Sequence, residues 1–270
     1  MRAENLRRLA GVRDRILDRA EIIPGETVLD VGTGQGLLGL AALDRTGGTG
    51  HVIFSDVSDP SLDDCRVEVA QRSALDRVSF VHASAIDLSP IPTASVDVVV
   101  ERAVLLFIED RNRAFQEYHR VLRPGGRLSL GEPLNVWMSA DRPGYLWGYD
   151  VTVVVDLERK LHEAARSSGA ATDDLLGGFD DRDLIAMARD AGFSRIDVQT
   201  DLSLAPPPAR DDLDVFLDTA PNPLAPTTRA LVAAALSPAE AERFTAVLGE
   251  SVRLGRGERR QASTLLRARV

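Results

Sequence analysis

Short apolar runs alternate with helical segments between residues 27 and 133, and this alternation limits the folds open to the chain. In order, the runs are TVLDV, HVIFSD, VSFVHA, SVDVVVE and RLSLGEP. Strands that alternate with helices at this spacing form right-handed βαβ crossovers and a largely parallel sheet. The sequence therefore predicts a doubly wound, mostly parallel α/β sheet.

The segments outside this core have other patterns. Residues 1–22 carry apolar side chains at three-to-four spacing, which predicts an amphipathic helix. After Pro133 the chain holds both tryptophans and two of its three tyrosines within a few residues. The predicted organisation is a cap helix at 1–22, an α/β core at 23–133, an aromatic-rich cap at 134–179, the last core helix and strand at 180–203, and a C-terminal helical extension at 211–270.

The glycine-rich turn after the first strand indicates a cofactor site. Residues 28–36 are VLDVGTGQG, and glycines at such a turn let backbone approach a ligand closely. A dinucleotide would place its pyrophosphate there, and the carboxylate of Asp30 would repel it. S-adenosylmethionine has no phosphate and carries an ammonium and a sulfonium, so Asp30 favours that ligand. The alternative is that Asp30 only caps the turn.

A second glycine pattern overlaps the first. Residues 34–39 are GQGLLG, which matches the dinucleotide spacing G-x-G-x-x-G. With Asp30 taken as the first residue of the motif, Gly39 becomes a helix residue required for packing. The dinucleotide match is then a coincidence of register.

The amino-acid composition indicates the cellular compartment and excludes some classes of binding partner. The 270 residues include 44% hydrophobic ones, carry a net charge of −9 and contain one cysteine. This balance disfavours a nucleic-acid partner, and one cysteine rules out a disulfide framework or a thiolate metal cluster. We see no signal peptide and no apolar run of membrane-spanning length. The sequence predicts a cytoplasmic protein with no metal site and no membrane or nucleic-acid partner.

Four stretches resemble the class I S-adenosylmethionine-dependent methyltransferases. They are VLDVGTGQG, FSDVS, SVDVVVERAVLLF and EYHRVLRPGGRLSLGEP, and the similarity extends over about residues 20–200. The nearest branch is that of the small-molecule enzymes that resemble ubiquinone/menaquinone methyltransferases. The resemblance implies a Rossmann-like sheet of seven strands and S-adenosylmethionine as cofactor, and leaves the acceptor open.

The resemblance assigns cofactor residues position by position. They are Asp30, Gly32, Thr33 and Gly34 in the first motif, Asp56 and Val57 after the second strand, Ser84, Ala85 and Ile86 after the third, and Glu101 and Arg102 at the end of the fourth. After the third strand the family usually has an acid that reads the adenine amino group. This chain departs from that pattern, so Ser84, the nearby Asp87 or backbone alone remain alternatives.

The acceptor side is predicted from the aromatic stretch and from titratable residues. The candidate substrate residues are Glu132, Trp137, Tyr145, Trp147 and Tyr149, and the candidate catalytic residues are Glu101, His162 and Tyr149. The aromatic rings suit a flat or apolar acceptor, or else the core of a helical cap or the interface of a homodimer. Glu101 and Glu109 also lie eight residues apart, a spacing near that of a guanidinium clamp, although an acid preceding a helix is the simpler interpretation of Glu109.

These features predict transfer of a methyl group to a small-molecule acceptor by in-line displacement, with the biosynthesis of a metabolite as the setting. Three alternatives remain at this stage. They are a peptide or protein methyltransferase, an NAD(P)-dependent oxidoreductase, and a non-catalytic protein that binds S-adenosylmethionine. Asp30 opposes the oxidoreductase, and the intact glycine motif opposes a protein that has lost cofactor binding.

Overall fold

A computed structural model describes residues 9–139, 143–167, 178–220 and 226–270. It divides into two compact units. The first, here called the sheet unit, comprises Met1–Pro133, Phe179–Thr200 and Ser263–Val270. The second, here called the helical unit, comprises Leu134–Gly178 and Asp201–Ala262.

The strands and helices follow the predicted alternation through the sheet unit. The strands are β1 (Thr27–Val31), β2 (His51–Asp56), β3 (Val78–His82), β4 (Val96–Arg102), β5 (Leu122–Pro133), β6 (Tyr145–Leu146), β7 (Tyr149–Asp150), β8 (Arg195–Ala205) and β9 (Arg259–Arg269). The helices are α1 (Ala10–Ala20), α2 (Gly39–Arg45), α3 (Asp59–Gln71), α4 (Arg111–Val121), α5 (Val136–Ser139), α6 (Val155–Ser167), α7 (Asp181–Asp190), α8 (Leu213–Asp218), α9 (Thr228–Ala235) and α10 (Pro238–Leu254).

Seven strands form one sheet in the order β3-β2-β1-β4-β5-β9-β8. The first five are parallel to their neighbours, and β9 is antiparallel to β5. The strand order reverses between β1 and β4, and ligands of such sheets bind beyond the carboxyl ends of the strands at this switch point. The predicted seven-stranded, mostly parallel sheet is confirmed.

The sheet is stable because its central strands are buried on both faces. Val98, Val99 and Val100 are fully buried in β4, as expected for a parallel sheet covered by helices. One hydrophobic core joins β1, β2 and β4 to apolar side chains of α1, α2 and α3. Burying each such side chain contributes about 1.5–3 kcal/mol, so the strand ends that carry the site are held rigidly.

The C-terminal residues correct the predicted helical extension. Residues 211–270 do contain α8, α9 and α10, but Arg259–Arg269 is strand β9, placed between β5 and β8. Ala262, Thr264, Leu266 and Ala268 are buried at the two-residue period of a strand. The adjacent Leu265 is buried as well, so apolar residues and arginines do not alternate strictly. The two-residue period is therefore not evident from the sequence.

The two segments predicted as a separate cap and extension fold as one unit. Apolar side chains from β6, β7, α6, α8, α9 and α10 share one core in the helical unit. Helix α10 begins as predicted: Ser237 is the N-cap, Pro238 is the first helical residue, and Glu240 accepts from the Ser237 amide at 2.9 Å. Within the described ranges, no helix combines the length and apolarity needed to cross a bilayer.

Candidate functional site

The glycine turn between β1 and α2 adopts a backbone that needs its glycines. Gly32, Gly34 and Gly36 have φ values of +62°, +49° and +80°, in the left-handed region that other residues rarely adopt. A Cβ added at Gly32 would lie 2.3 Å from Cγ2 of Val104, whereas one at Gly34 would meet no atom closer than 4.0 Å. The space beside the Gly34 Cα is therefore open, while Gly32 is required by the protein's own packing.

Asp30 lies beneath this turn and holds it together. Its side chain is buried, and Oδ2 accepts hydrogen bonds from the Thr33 hydroxyl at 2.6 Å and the Gly39 amide at 2.8 Å. Burial, opposed by these two bonds and reinforced by the nearby charge of Asp56, raises the pKa of Asp30 to about 7. Oδ2 therefore caps the turn from within the protein, and contact of the Asp30 carboxylate with the cofactor stays a prediction.

Gly39 confirms the interpretation of the overlapping glycine pattern. A Cβ on this residue would lie 2.4 Å from the Phe54 ring and 2.8 Å from Asp30 Oδ2. Gly39 is therefore a packing residue at the start of α2. The dinucleotide spacing in GQGLLG follows from that packing requirement.

Asp56 stands at the end of β2, on the other side of the turn. Its Oδ2 accepts from the Gly34 amide at 2.8 Å, and its Oδ1 accepts from the Ser58 amide at 2.9 Å. The next residue, Val57, has a side chain that is 63% exposed. Two acids from neighbouring strands thus flank the glycine turn, with an exposed apolar side chain beside them.

Cys65 supports the glycine turn, a role that its sequence context does not indicate. Its buried thiol donates to the Gly34 carbonyl at 3.4 Å and lies where a Cβ of Gly36 would project. The residue therefore supports the turn from α3, in addition to filling space. A lone cysteine in a helix carries no sequence signal for such a contact.

The loop after β3 is fixed by α4. Glu117 accepts from the Leu88 amide at 2.8 Å, and Arg120 donates to the Leu88 carbonyl at 2.8 Å. Within the loop, Ser84 accepts from Asp87 and Ile86, while the Asp87 carboxylate accepts from the Ser89 amide at 3.1 Å. The three alternatives for an adenine contact stay predictions, on a loop that α4 positions.

Glu101 and Glu132 meet at the ends of β4 and β5. Both are buried, and both accept from the same Val104 amide, at 2.9 and 2.8 Å. Glu132 also accepts from the Leu105 amide at 2.8 Å. The partner of Glu101 is therefore Glu132, and Glu109 is an exposed residue just before Asp110, the N-cap of α4.

Burial of this pair raises the pKa of both carboxyl groups. Desolvation and the charge of Glu132 raise the pKa of Glu101 well above its ordinary value. Burial also raises the pKa of Glu132, and the charges of the pair add to the effect of burial on the Tyr118 hydroxyl, whose pKa is raised too. Burial and the mutual repulsion of the two carboxylates thus both favour the protonated form of the pair.

The remaining candidates lie in the helical unit and separate into core and surface residues. Tyr149 is 2% exposed, donates its hydroxyl to the Pro208 carbonyl at 2.8 Å and packs against Phe216. It is a core residue of the helical unit, and its role as a base or acceptor contact stays a prediction that this burial opposes. Trp137 and Trp147 are nearly half exposed, and the Trp147 indole donates to the Thr228 hydroxyl at 3.3 Å.

His162 and Tyr145 also lie in the helical unit. His162 lies on α6, with Nε2 3.2 Å from the buried Glu158 carboxylate and its side chain 44% exposed. Tyr145 is partly buried in the short β6–β7 pairing. The structure thus brings together Asp30, Asp56, the glycines, Glu101 and Glu132 in the sheet unit, and leaves His162 and the aromatic residues in the other unit.

The sheet order, the left-handed glycine turn at its switch point and the two flanking acids define a Rossmann-like cofactor-binding protein. Residues 29–130 match the family of methyltransferase domains. Over these residues the chain is similar to methyltransferase domains, and the curated relatives that it matches are methyltransferases. S-adenosylmethionine is the cosubstrate of that family.

Individual relatives agree with this assignment. Arsenite methyltransferase of Halobacterium salinarum is 35% identical over 153 residues, which are 54% of this chain and 38% of that protein. The ubiquinone/menaquinone biosynthesis C-methyltransferase UbiE of Citrobacter koseri is 29% identical over 190 residues, 67% of this chain and 71% of that protein. A candidate methyltransferase from Bacillus halodurans C-125 shares the fold, with a TM-score of 0.58 and 19% identity over 95% of this chain and 97% of that one.

Proposed function

We propose that the protein transfers a methyl group from S-adenosylmethionine to a small-molecule acceptor. One observation carries the proposal: an open glycine turn at the switch point, with Asp30 beneath it and Asp56 beside it. The methyltransferase family match over residues 29–130 supports the same activity. Metabolite biosynthesis is our proposed setting, in line with the C-methyltransferase relative.

The residues of the turn suit the chemistry of this cofactor. The Gly34 backbone is open to close approach, and the Asp56 carboxylate suits the ribose hydroxyls because it can accept two hydrogen bonds. Asp30 places negative charge beneath the turn, which favours a cationic methionyl group over a pyrophosphate. When bound, S-adenosylmethionine supplies an electrophilic methyl group on a sulfonium.

The protein's part in the reaction is then alignment and exclusion of water. An in-line displacement on a sulfonium has an activated leaving group, so positioning supplies most of the rate. A base is needed only where the acceptor must lose a proton. Among the candidate bases, Tyr149 is held in the core, and Glu101 is bound to the Val104 amide. His162 stays a candidate, and Trp137, Tyr145 and Trp147 stay candidates for contacts with a flat acceptor.

Calorimetric titration tests the cofactor assignment. We expect S-adenosylhomocysteine to bind with a micromolar dissociation constant and NAD to give no heat of binding. Asp56→Asn should weaken the binding roughly 10- to 150-fold, because a charged acceptor of hydrogen bonds contributes roughly 1.5–3 kcal/mol. Asp63→Asn is the matched control, since Asp63 is an exposed acid of α3 that pairs with Arg66.

The alternatives give different results in this titration and in a transfer assay with S-adenosylmethionine labelled in its methyl group. Binding of NAD without binding of S-adenosylhomocysteine would favour the oxidoreductase and overturn the proposal. Binding of S-adenosylhomocysteine without any methylated product would identify a non-catalytic protein. Label found only in the macromolecular fraction would identify a peptide or protein acceptor.

A further inference from the structure

The turn that follows β4 is strained and held by two carboxylates. Ala103 has φ of +54°, a left-handed conformation that costs a residue with a Cβ roughly 1–2 kcal/mol. The next amide, that of Val104, donates to both Glu101 and Glu132, and the Leu105 amide donates to Glu132. Such a conformation persists only where its surroundings determine it, and here the two glutamates do so.

This turn is in contact with the glycine turn of the cofactor site. The Val104 side chain occupies the space beside Gly32, where an added Cβ would lie 2.3 Å from Cγ2. The path from Glu132 to Gly32 therefore runs through one amide hydrogen bond and one side chain. A shift of the Val104 backbone would move the side chain on which the glycine turn rests.

The arrangement of the two carboxyl groups favours a proton shared between them. Oε2 of Glu101 and Oε2 of Glu132 are both buried, and neither accepts a hydrogen bond from the described residues. Two bare carboxylates on one amide would repel each other strongly in a buried site, whereas one proton between the free oxygens satisfies both. The charged or titratable groups that face the pair are Asp30 from β1, Arg102 from β4, and Tyr118 and Arg111 from α4.

We propose that Glu132, through the proton that it shares with Glu101, is a positioning residue that fixes the Val104 turn beneath the cofactor loop. Loss of the proton leaves two negative charges on one amide, which releases the turn and loosens the support of Gly32. The effect of the glutamate pair on methyl transfer rests on the proposed function. The conformation of the Val104 turn does not depend on that function.

Amide hydrogen exchange measures the state of the turn directly and needs no ligand. Protection factors of Val104 and Leu105 are measured at pH 6.5 and pH 9 in the wild type, Glu101→Gln, Glu132→Gln and Glu109→Gln. The glutamine at 101 keeps a donor toward Glu132 and an acceptor toward Val104, but it has no proton to lose. Glu109 is exposed, so its variant is the matched control.

We expect wild-type protection of the two amides to fall at least tenfold at pH 9, and to stay constant in Glu101→Gln. In Glu132→Gln it should fall about tenfold at both pH values, since a neutral acceptor replaces a charged one. Glu109→Gln should match the wild type. The same pH dependence in Glu101→Gln as in the wild type, or full protection in Glu132→Gln, overturns the inference.

Binding of S-adenosylmethionine is measured on the same samples. The dissociation constant of the wild type, divided by that of Glu101→Gln, should rise from pH 6.5 to pH 9. A wild type that never binds S-adenosylmethionine contradicts the proposed function. The exchange data decide the role of the glutamate pair in either case.

Discussion

Replacing Asp30 by asparagine removes a buried charge while keeping an oxygen that can accept from Thr33 and Gly39. Burial raises the pKa of Asp30 from 3.8 to about 7, and each pKa unit corresponds to about 1.4 kcal/mol. Ionising Asp30 in the folded protein therefore costs up to about 4 kcal/mol, a large part of the stability of an ordinary domain.

The sign of the effect follows from the raised pKa. The protonated acid favours the folded state, so its contribution is complete below pH 4 and is lost as pH rises through 7. Asp30→Asn has no such loss. The difference in unfolding free energy between the variant and the wild type should grow by up to about 4 kcal/mol from pH 4 to pH 8 in favour of the variant, as measured by urea unfolding.

The same charge predicts a proton linked to cofactor binding. A cationic ligand favours the ionised acid, so the wild type should release a proton when it binds S-adenosylmethionine between pH 5 and 7. Calorimetry in two buffers with different ionisation enthalpies measures that proton, and Asp30→Asn should release none. Parallel stability curves for the two proteins, with equal proton release, would refute the assigned burial and charge of Asp30.

Other variants test the glycine turn and the helical unit. Gly32→Ala should lower the unfolding temperature by several degrees because its Cβ meets Val104, whereas Gly34→Ala pays only the backbone cost of roughly 1–2 kcal/mol and should mainly lose affinity for S-adenosylhomocysteine. Equal effects of the two substitutions on both quantities would contradict the assignment of Gly34 to the ligand. Tyr149→Phe should cost about 1 kcal/mol of stability by leaving the Pro208 carbonyl without its donor, with kcat unchanged. A large fall in kcat at unchanged stability would restore Tyr149 as a catalytic residue.

The sequence predicts well those features that depend on local pattern. The strand–turn–helix around VLDVGTGQG needs left-handed glycines and a buried strand. The glycines and the apolar strand residues both lie within this short motif. The packing role of Gly39 follows from the same register. The sequence does not predict the orientation of Asp30, because the same motif is compatible with an acid that contacts a ligand and with one that caps a turn.

Features that depend on distant contacts were missed. Glu101 and Glu132 are 31 residues apart, and only the pairing of β4 with β5 brings them to one amide. Strand β9 pairs with strands that lie far earlier in the chain. The local pattern of arginines and leucines is therefore compatible with a helix as well as with a strand. Tyr149 belonged to an aromatic stretch that suited a core and an acceptor wall equally, and burial against Phe216 decides for the core.

Transfer of a labelled methyl group tests the central claim most directly. The protein is incubated with S-adenosylmethionine labelled in its methyl group and with a small-molecule fraction of a cell extract. The account predicts label in a low-molecular-weight product, with loss of that product in Gly34→Ala and Asp56→Asn but not in Asp63→Asn. Absence of labelled product from every fraction, or equal labelling by all of these variants, would contradict it.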